Sequence, residues 1–368
     1  MSPRTSAVIS AIRFPLILLV IWVHATVWTH IPVADPLQER LFHFVTDLFS
    51  FNLGRVAVCV FFVLSGYLFF WSANPDQIGP QWFLEQWKKR VRTLLVPYLI
   101  WNFIMVAAVA GKSLLLYKIG LKDDGGLAVL QSSTIWDWLW FRPANLPLWY
   151  VRDLMCLTLC TPLLYFLFRH LKWLSCILLV VSYFLPFYFA VPGFRVESVY
   201  FFTAGAWLGM FKKDLVTLCR QITWPSYILS AVTLCLATCY TSSPYHDVLL
   251  KYFLICFVPA AVNLTDTMLS CNRVNNLLLR LSRYVFFIYA VHVIHILGWT
   301  KAGMIRLFGH SLFADYAAFF LTPFVVCALC ILLYRLLEQI VPRFLAISVG
   351  NRTSNCDKQS FSHEHNAK

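Results

Sequence analysis

Charge is scarce in this chain. Only 13% of its 368 residues are Asp, Glu, Lys or Arg, where a soluble domain carries about 25%. That deficit excludes an ordinary soluble protein, whose water-facing surface needs more charge. Acidic residues are the scarcest: 17 Asp and Glu stand against 30 Lys and Arg, a net charge of +13. No Walker, Rossmann or G-x-S-x-G motif occurs, so the sequence gives no sign of a P-loop, a dinucleotide fold or a nucleophile elbow. No internal repeat is visible, which weakens any reading built on inverted halves. Cys327 and Cys330 form a CxxC, but no second pair and no His at ligand spacing accompanies it, and no metal is expected.

What fills the chain instead is apolar. Hydrophobic residues make up 60%, with 14 Trp, 16 Tyr and 32 Phe, and the mean hydropathy is +0.68. The reading is an all-α, polytopic membrane helix bundle in the lipid bilayer. Ten spans are expected near 8–29, 52–72, 93–111, 148–168, 172–190, 197–211, 224–240, 248–266, 283–299 and 316–341. The first run has no A-x-A cleavage site and reads as a retained span. Most cysteines lie in apolar runs and read as small buried hydrophobes. The excess of Lys and Arg fits cytoplasmic loops, and with no nucleic-acid module present, no nucleic-acid partner is expected. Lys88, Lys89, Arg90 and Arg92, then Arg169 and Lys172, then Lys212, Lys213 and Arg220, then Arg273, Arg280 and Arg283 fall in alternate loops. That pattern predicts N-in and C-in; the long loop 112–147, with Lys112, Lys118, Lys122 and Arg142, runs against it. Residues 1–342 form the transmembrane domain, and 343–368 turn polar and read as a disordered cytoplasmic tail. His363 and His365 in that tail read as solvated.

One span carries unusual polarity. In "IRFPLILLVIWVHATVW" a permanent cation, Arg13, and a titratable His24 sit within an apolar run. Eleven residues are roughly three turns, so the two share one helix face about 16 Å apart. Polar groups at such depth are costly and mark functional sites. This arrangement suits a long anionic ligand that enters at one end and reacts near the middle.

The pair Arg13–x10–His24, followed by "RVAVCVFFVLSGYLFFW" (55–71), "WKKRVRTLLVPYLIWN" (87–102), "PLWYVRDL" (147–154) and "LSRYVFFIYAVHVIH" (281–295), resembles the acyltransferase-3 family of bacterial integral-membrane O-acyltransferases. The likeness spans roughly residues 5–340. Two positions depart from the family pattern: Cys59 stands where Pro or Asp is frequent, and the basic cluster reads Arg90-x-Arg92 rather than Arg-x-x-Arg. The resemblance implies transfer of an acyl group from cytoplasmic acyl-CoA, usually acetyl-CoA, to a hydroxyl of a glycan or lipid-linked saccharide at a bacterial inner (plasma) membrane. The donor is a co-substrate, and no metal is implied.

On that reading His24 is the base, because imidazole titrates near neutrality and can take a hydroxyl proton. The plainer alternative is a His bonded to a backbone carbonyl between helices. Arg13 would hold donor phosphate; snorkelling to the interface is the alternative. Arg90 and Arg92, with Lys89, would form the donor's phosphate cluster, although positive-inside anchoring is the better account of Lys88 and Lys89. Ser65 and Gly66 would shape a channel for the pantetheine arm. Asp153 would orient the imidazole as a triad carboxylate does, or else pair with Arg55 or Arg152. Arg55, Glu197 and His292 reach a similar depth and converge on His24. Trp136, Trp138, Trp140 and Trp149 suit sugar rings or an interfacial belt equally. A transporter or flippase with a His24/Asp153 proton relay is the alternative class, and a glycan polymerase a third. The oligomeric state is not legible.

Overall fold

The structure is a computed structural model, which describes residues 1–25, 36–74, 77–121, 128, 131–185, 191–309 and 311–351. Every element among them is helical. Helices satisfy their own backbone polar groups, which is the condition for crossing lipid. Five segments are long and apolar enough to cross: Pro3–His24, Leu37–Trp71, Pro80–Lys118, His246–Met268 and Leu312–Ile340. Three more are bent pairs. Leu146–Leu159 meets Thr161–Leu171 at 55°, Leu215–Gln221 meets Thr223–Cys239 at 75°, and Val285–Val291 meets Ile296–Phe308 at 76°.

Counting each pair once gives up to eight spans, against the ten expected. The expected spans 172–190 and 197–211 fall on helices of 11 and 15 residues, Leu174–Phe184 and Val196–Met210. Each is shorter than the roughly 20 residues a crossing needs. Hydropathy counts apolar residues whether or not they are helical, so it overstates helix length. The first bend has a local cause: Pro162 lies in the first turn of Thr161–Leu171, where proline starts a helix and cannot continue the preceding one.

The tightest packing joins Val56–Trp71 to Val196–Met210. A Cβ added at Gly66 would lie 2.1 Å from the Phe202 carbonyl oxygen, and one at Gly205 would lie 2.0 Å from that of Val63. Gly209 meets the Tyr67 carbonyl in the same way, at 2.3 Å. Gly205 and Gly209 form a Gly-x-x-x-Gly stripe, which lets backbones approach closely where the hydrophobic effect gives helices no reason to associate.

At the N-terminal end, Asp214 accepts from Thr5 Oγ1 at 2.9 Å and from Ser2 Oγ at 3.2 Å. Beside it Asp266 takes Arg4 at 2.6 Å and Arg220 at 2.7 Å. These bonds fasten the start of the first span to its neighbours. At the other terminus the expected polar tail begins late. Pro342–Ser348 is a helix with Leu345 and Ser348 buried, and Trp101 Nε1 donates to the Ser348 carbonyl at 2.8 Å. Apolar residues continue through Val349, and that is why the chain still packs past residue 342. His363, His365 and Lys122 lie outside the described residues.

Candidate active site

A cavity of about 400 Å³ opens beside the first span. Three arginines line it: Arg13 from Arg13–His24, Arg90 from the end of Pro80–Arg90, and Arg283 just after Asn272–Ser282. Phe61, Leu64 and Leu68 supply an apolar wall, and Ser65 lies among them with its Oγ 3.1 Å from the Tyr150 hydroxyl. Arg283 is held in place by Glu338 Oε1 at 2.6 Å and lies over the Tyr284 and Tyr334 rings.

The expected phosphate cluster is divided. Arg90 faces the cavity, with its guanidinium 5.6 Å from the Phe69 ring centre. Lys89 and Arg92 are exposed and do not line the cavity. Lys89 and Arg90 are consecutive on one α-helix and point about 100° apart; the backbone beyond them bears on Arg92. A wide π-type turn, Val91–Leu95, comes directly after Arg90, and such a turn resets the rotation of the residues C-terminal to it. Gly66 does not line the cavity. Its bare face meets the Phe202 backbone, so it serves a helix crossing while its neighbour Ser65 meets the cavity.

Val20 and Tyr289 also line the cavity. Val20 lies one helical turn before His24. Tyr289 lies 6.5 Å from His292, ring centre to ring centre. His24 and His292 are themselves neighbours, with ring centres 5.5 Å apart and planes tilted by 41°. His24 ends its helix, and His292 caps Val285–Val291 at the break of the most sharply bent pair. His295 closes that break in the left-handed region at φ 61°, a costly conformation for a residue with a side chain. Lys301, from Ile296–Phe308, is near enough to act on His24 electrostatically.

Asp153 serves elsewhere. Its carboxylate accepts from Arg152 at 2.8 and 3.1 Å, from the Gly193 N–H at 3.0 Å and from Ser198 Oγ at 3.0 Å. Arg152 also donates to the Trp140 carbonyl at 2.5 Å. The pair therefore ties segment 137–142 to segment 191–198, and among the described residues its carboxylate has no bond to His24. The ion-pair alternative to the triad is the one the geometry bears out. Arg55 and Glu197 both act on Cys59, and neither lines the cavity. Of the four tryptophans of segment 136–149, Trp136 is exposed, and Trp149 lies under Arg195 at 4.0 Å.

Arg283, Tyr150 and Tyr289 escaped the reading from sequence. Their signal was present as periodicity: Arg283, Phe286 and Tyr289 recur every third residue, and all three line the cavity. They read as apolar packing or loop charge until that face is known to look inward.

The whole constellation, from Arg13 to His292, falls within residues 7–335, which match the acyltransferase domain family. The chain is also 25% identical, over 378 positions, to the succinoglycan biosynthesis protein ExoH of Rhizobium meliloti (strain 1021), with 96% of this chain and 94% of that one covered. No solved structure gives a significant match. A family match of that extent means that the chain belongs to the acyltransferase family and is a membrane O-acyltransferase.

Proposed function

We propose that the protein takes an acyl group, acetyl in the first instance, from cytoplasmic acyl-CoA and transfers it to a hydroxyl of a glycan or lipid-linked sugar at the outer face of a bacterial inner membrane. The observation that carries this reading is the course of the cavity. Arg13, Arg90 and Arg283 line it, and its lining reaches Val20, one helical turn short of His24. Guanidinium groups bind phosphate in a fixed fork geometry, and coenzyme A carries its phosphates at the end remote from its thioester. A ligand with phosphates on Arg13, Arg90 and Arg283 would point its thioester toward His24. The apolar wall of Phe61, Leu64 and Leu68 suits a slim pantetheine arm, and about 400 Å³ falls in the range of small-molecule sites.

In this mechanism His24 takes the proton of the acceptor hydroxyl as its oxygen attacks the thioester carbonyl. The C–O bond forms, the C–S bond breaks, and the thiolate recovers the proton. The acceptor class rests on the relative whose name places it in succinoglycan biosynthesis. The sidedness rests on basic loops at the arginine end. A proton-relay transporter loses support, because Asp153 is occupied by Arg152, Gly193 and Ser198.

The test uses right-side-out membrane vesicles with acetyl-labelled acetyl-CoA sealed inside. Label should accumulate on glycan outside. Transfer only when acetyl-CoA is supplied from outside would reverse the sidedness. No transfer from acetyl-CoA on either side would end the reading of the donor.

A further inference from the structure

Beside the candidate base stands an imidazole with no part in that mechanism. His292 is fully buried, at 0% exposure. Its Nδ1 lies 3.0 Å from the Ile288 carbonyl and 2.9 Å from that of Tyr289. Carbonyls only accept, so Nδ1 carries the hydrogen and donates to them. That fixes the tautomer and leaves Nε2 as a bare acceptor. Nε2 is buried and has no hydrogen-bond partner among the described residues, a state that costs free energy in a folded protein. The side chain beside it is His24, 5.5 Å away between ring centres.

We propose that His292 is a positioning residue for His24: its Nε2 accepts the N–H of the His24 ring during turnover and so leaves the other His24 nitrogen bare to take the acceptor's proton. This inference rests on the reading of His24 as the base. A neutral imidazole has one N–H and one lone pair, and the partner of the N–H decides which nitrogen is the base. Without an acceptor, His24 divides between two tautomers, one of which turns an N–H toward the hydroxyl that must be deprotonated. Two rings joined by an N–H to N bond of about 3 Å have centres about 5 Å apart, so a small rotation closes the gap. His292 is the last residue in register with its helix, its own N–H bonded to the Ile288 carbonyl at 3.0 Å, and the chain turns away directly after it. The pair gains and loses no proton over the cycle: His24 takes one from the hydroxyl and gives it to the departing thiolate, and the hydrogen bond to His292 persists throughout.

The experiment compares two amides at position 292 in the full-length protein. In His292→Asn the amide N–H can keep the bonds to Ile288 and Tyr289, but no acceptor remains where Nε2 was. In His292→Gln an oxygen can reach the place of Nε2. Acetyl transfer from acetyl-CoA is measured with accumulation and thermal unfolding of each variant. The expected result for His292→Asn is a fall in kcat of about 10²-fold, the lower range for general-base catalysis, with KM for acetyl-CoA unchanged. His292→Gln should recover at least tenfold of that loss. A purely structural residue would spare the Asn variant, so wild-type turnover in His292→Asn overturns the proposal. Equal turnover in Asn and Gln variants that both accumulate overturns it too. A wild type that transfers nothing from acetyl-CoA fails at the earlier step and removes the reading of the donor itself.

Discussion

Two buried polar pairs divide the work of this protein, and they differ in what is left unsatisfied. Arg152 and Asp153 lie on adjacent positions of one helix, almost wholly buried at 2% and 0% side-chain exposure. Every bond that Asp153 accepts comes from a fixed protein donor, and the pair fastens two segments at one end of the bundle. His24 and His292 come from helices far apart in sequence, and one nitrogen of the pair has nothing to bond among the described residues. A saturated pair holds structure; a pair with an open valence can act on a substrate. Both pairs look alike in the sequence, as rare polar residues in apolar runs, and only their partners separate them.

The sharpest way to break the comparison is to exchange the expected phenotypes. His24→Ala should abolish transfer, by 10²–10⁴-fold, while the protein inserts and accumulates as before. Activity within about threefold of wild type would show that the open pair is not the reactive one. Asp153→Asn should do the reverse. It leaves Arg152 buried without its counter-charge, which costs about 3–5 kcal/mol, and should appear as low accumulation and early thermal unfolding. The double change Arg152→Met with Asp153→Leu removes both charges and should be more stable than Asp153→Asn alone. If Asp153→Asn is instead stable and inactive, the carboxylate belongs to the chemistry after all.

A smaller effect separates cations that face the cavity from those that do not. Arg90→Ala should weaken acetyl-CoA binding by roughly 10- to 100-fold, the worth of one hydrogen bond to a charged group. Lys89→Ala and Arg92→Ala should change it by less than about threefold, since exposed charges contribute little. Titration of bound acetyl-CoA against each variant decides it; equal losses at all three positions would mean that the cluster acts only through its summed charge.

The smallest effect is at the N-terminal end. Partial burial pushes the Asp214 carboxyl up, but the Thr217 amide and the Thr5, Thr217 and Ser2 hydroxyls outweigh it and hold it below its ordinary 3.8. A lowered value means that the folded state favours the ionised form. The stability gained is complete above the unfolded value and is lost as pH falls through the lowered one. In detergent, wild type should therefore lose slightly more thermal stability than Asp214→Asn as the pH is taken below about 4. Parallel losses in both proteins would show that these bonds do not depend on the charge.

The sequence read along its length is sufficient wherever the cause is local. Scarce charge and long apolar runs determine a helical membrane protein, because lipid leaves no other way for a single chain of this composition to satisfy its backbone. The 3.6-residue turn determines that Arg13 and His24 share a face. The ordered motifs determine the family. Tertiary structure decides whatever depends on how each helix is rotated about its own axis and where it breaks. It pairs His24 with His292 and not with Asp153. It turns Arg90 inward and leaves Lys89 and Arg92 outside. It commits Gly66 to a helix crossing and brings Arg283 and Tyr289 to the cavity. In a bilayer nearly every face of such a helix is apolar, so hydropathy marks depth and length but carries almost no record of rotation.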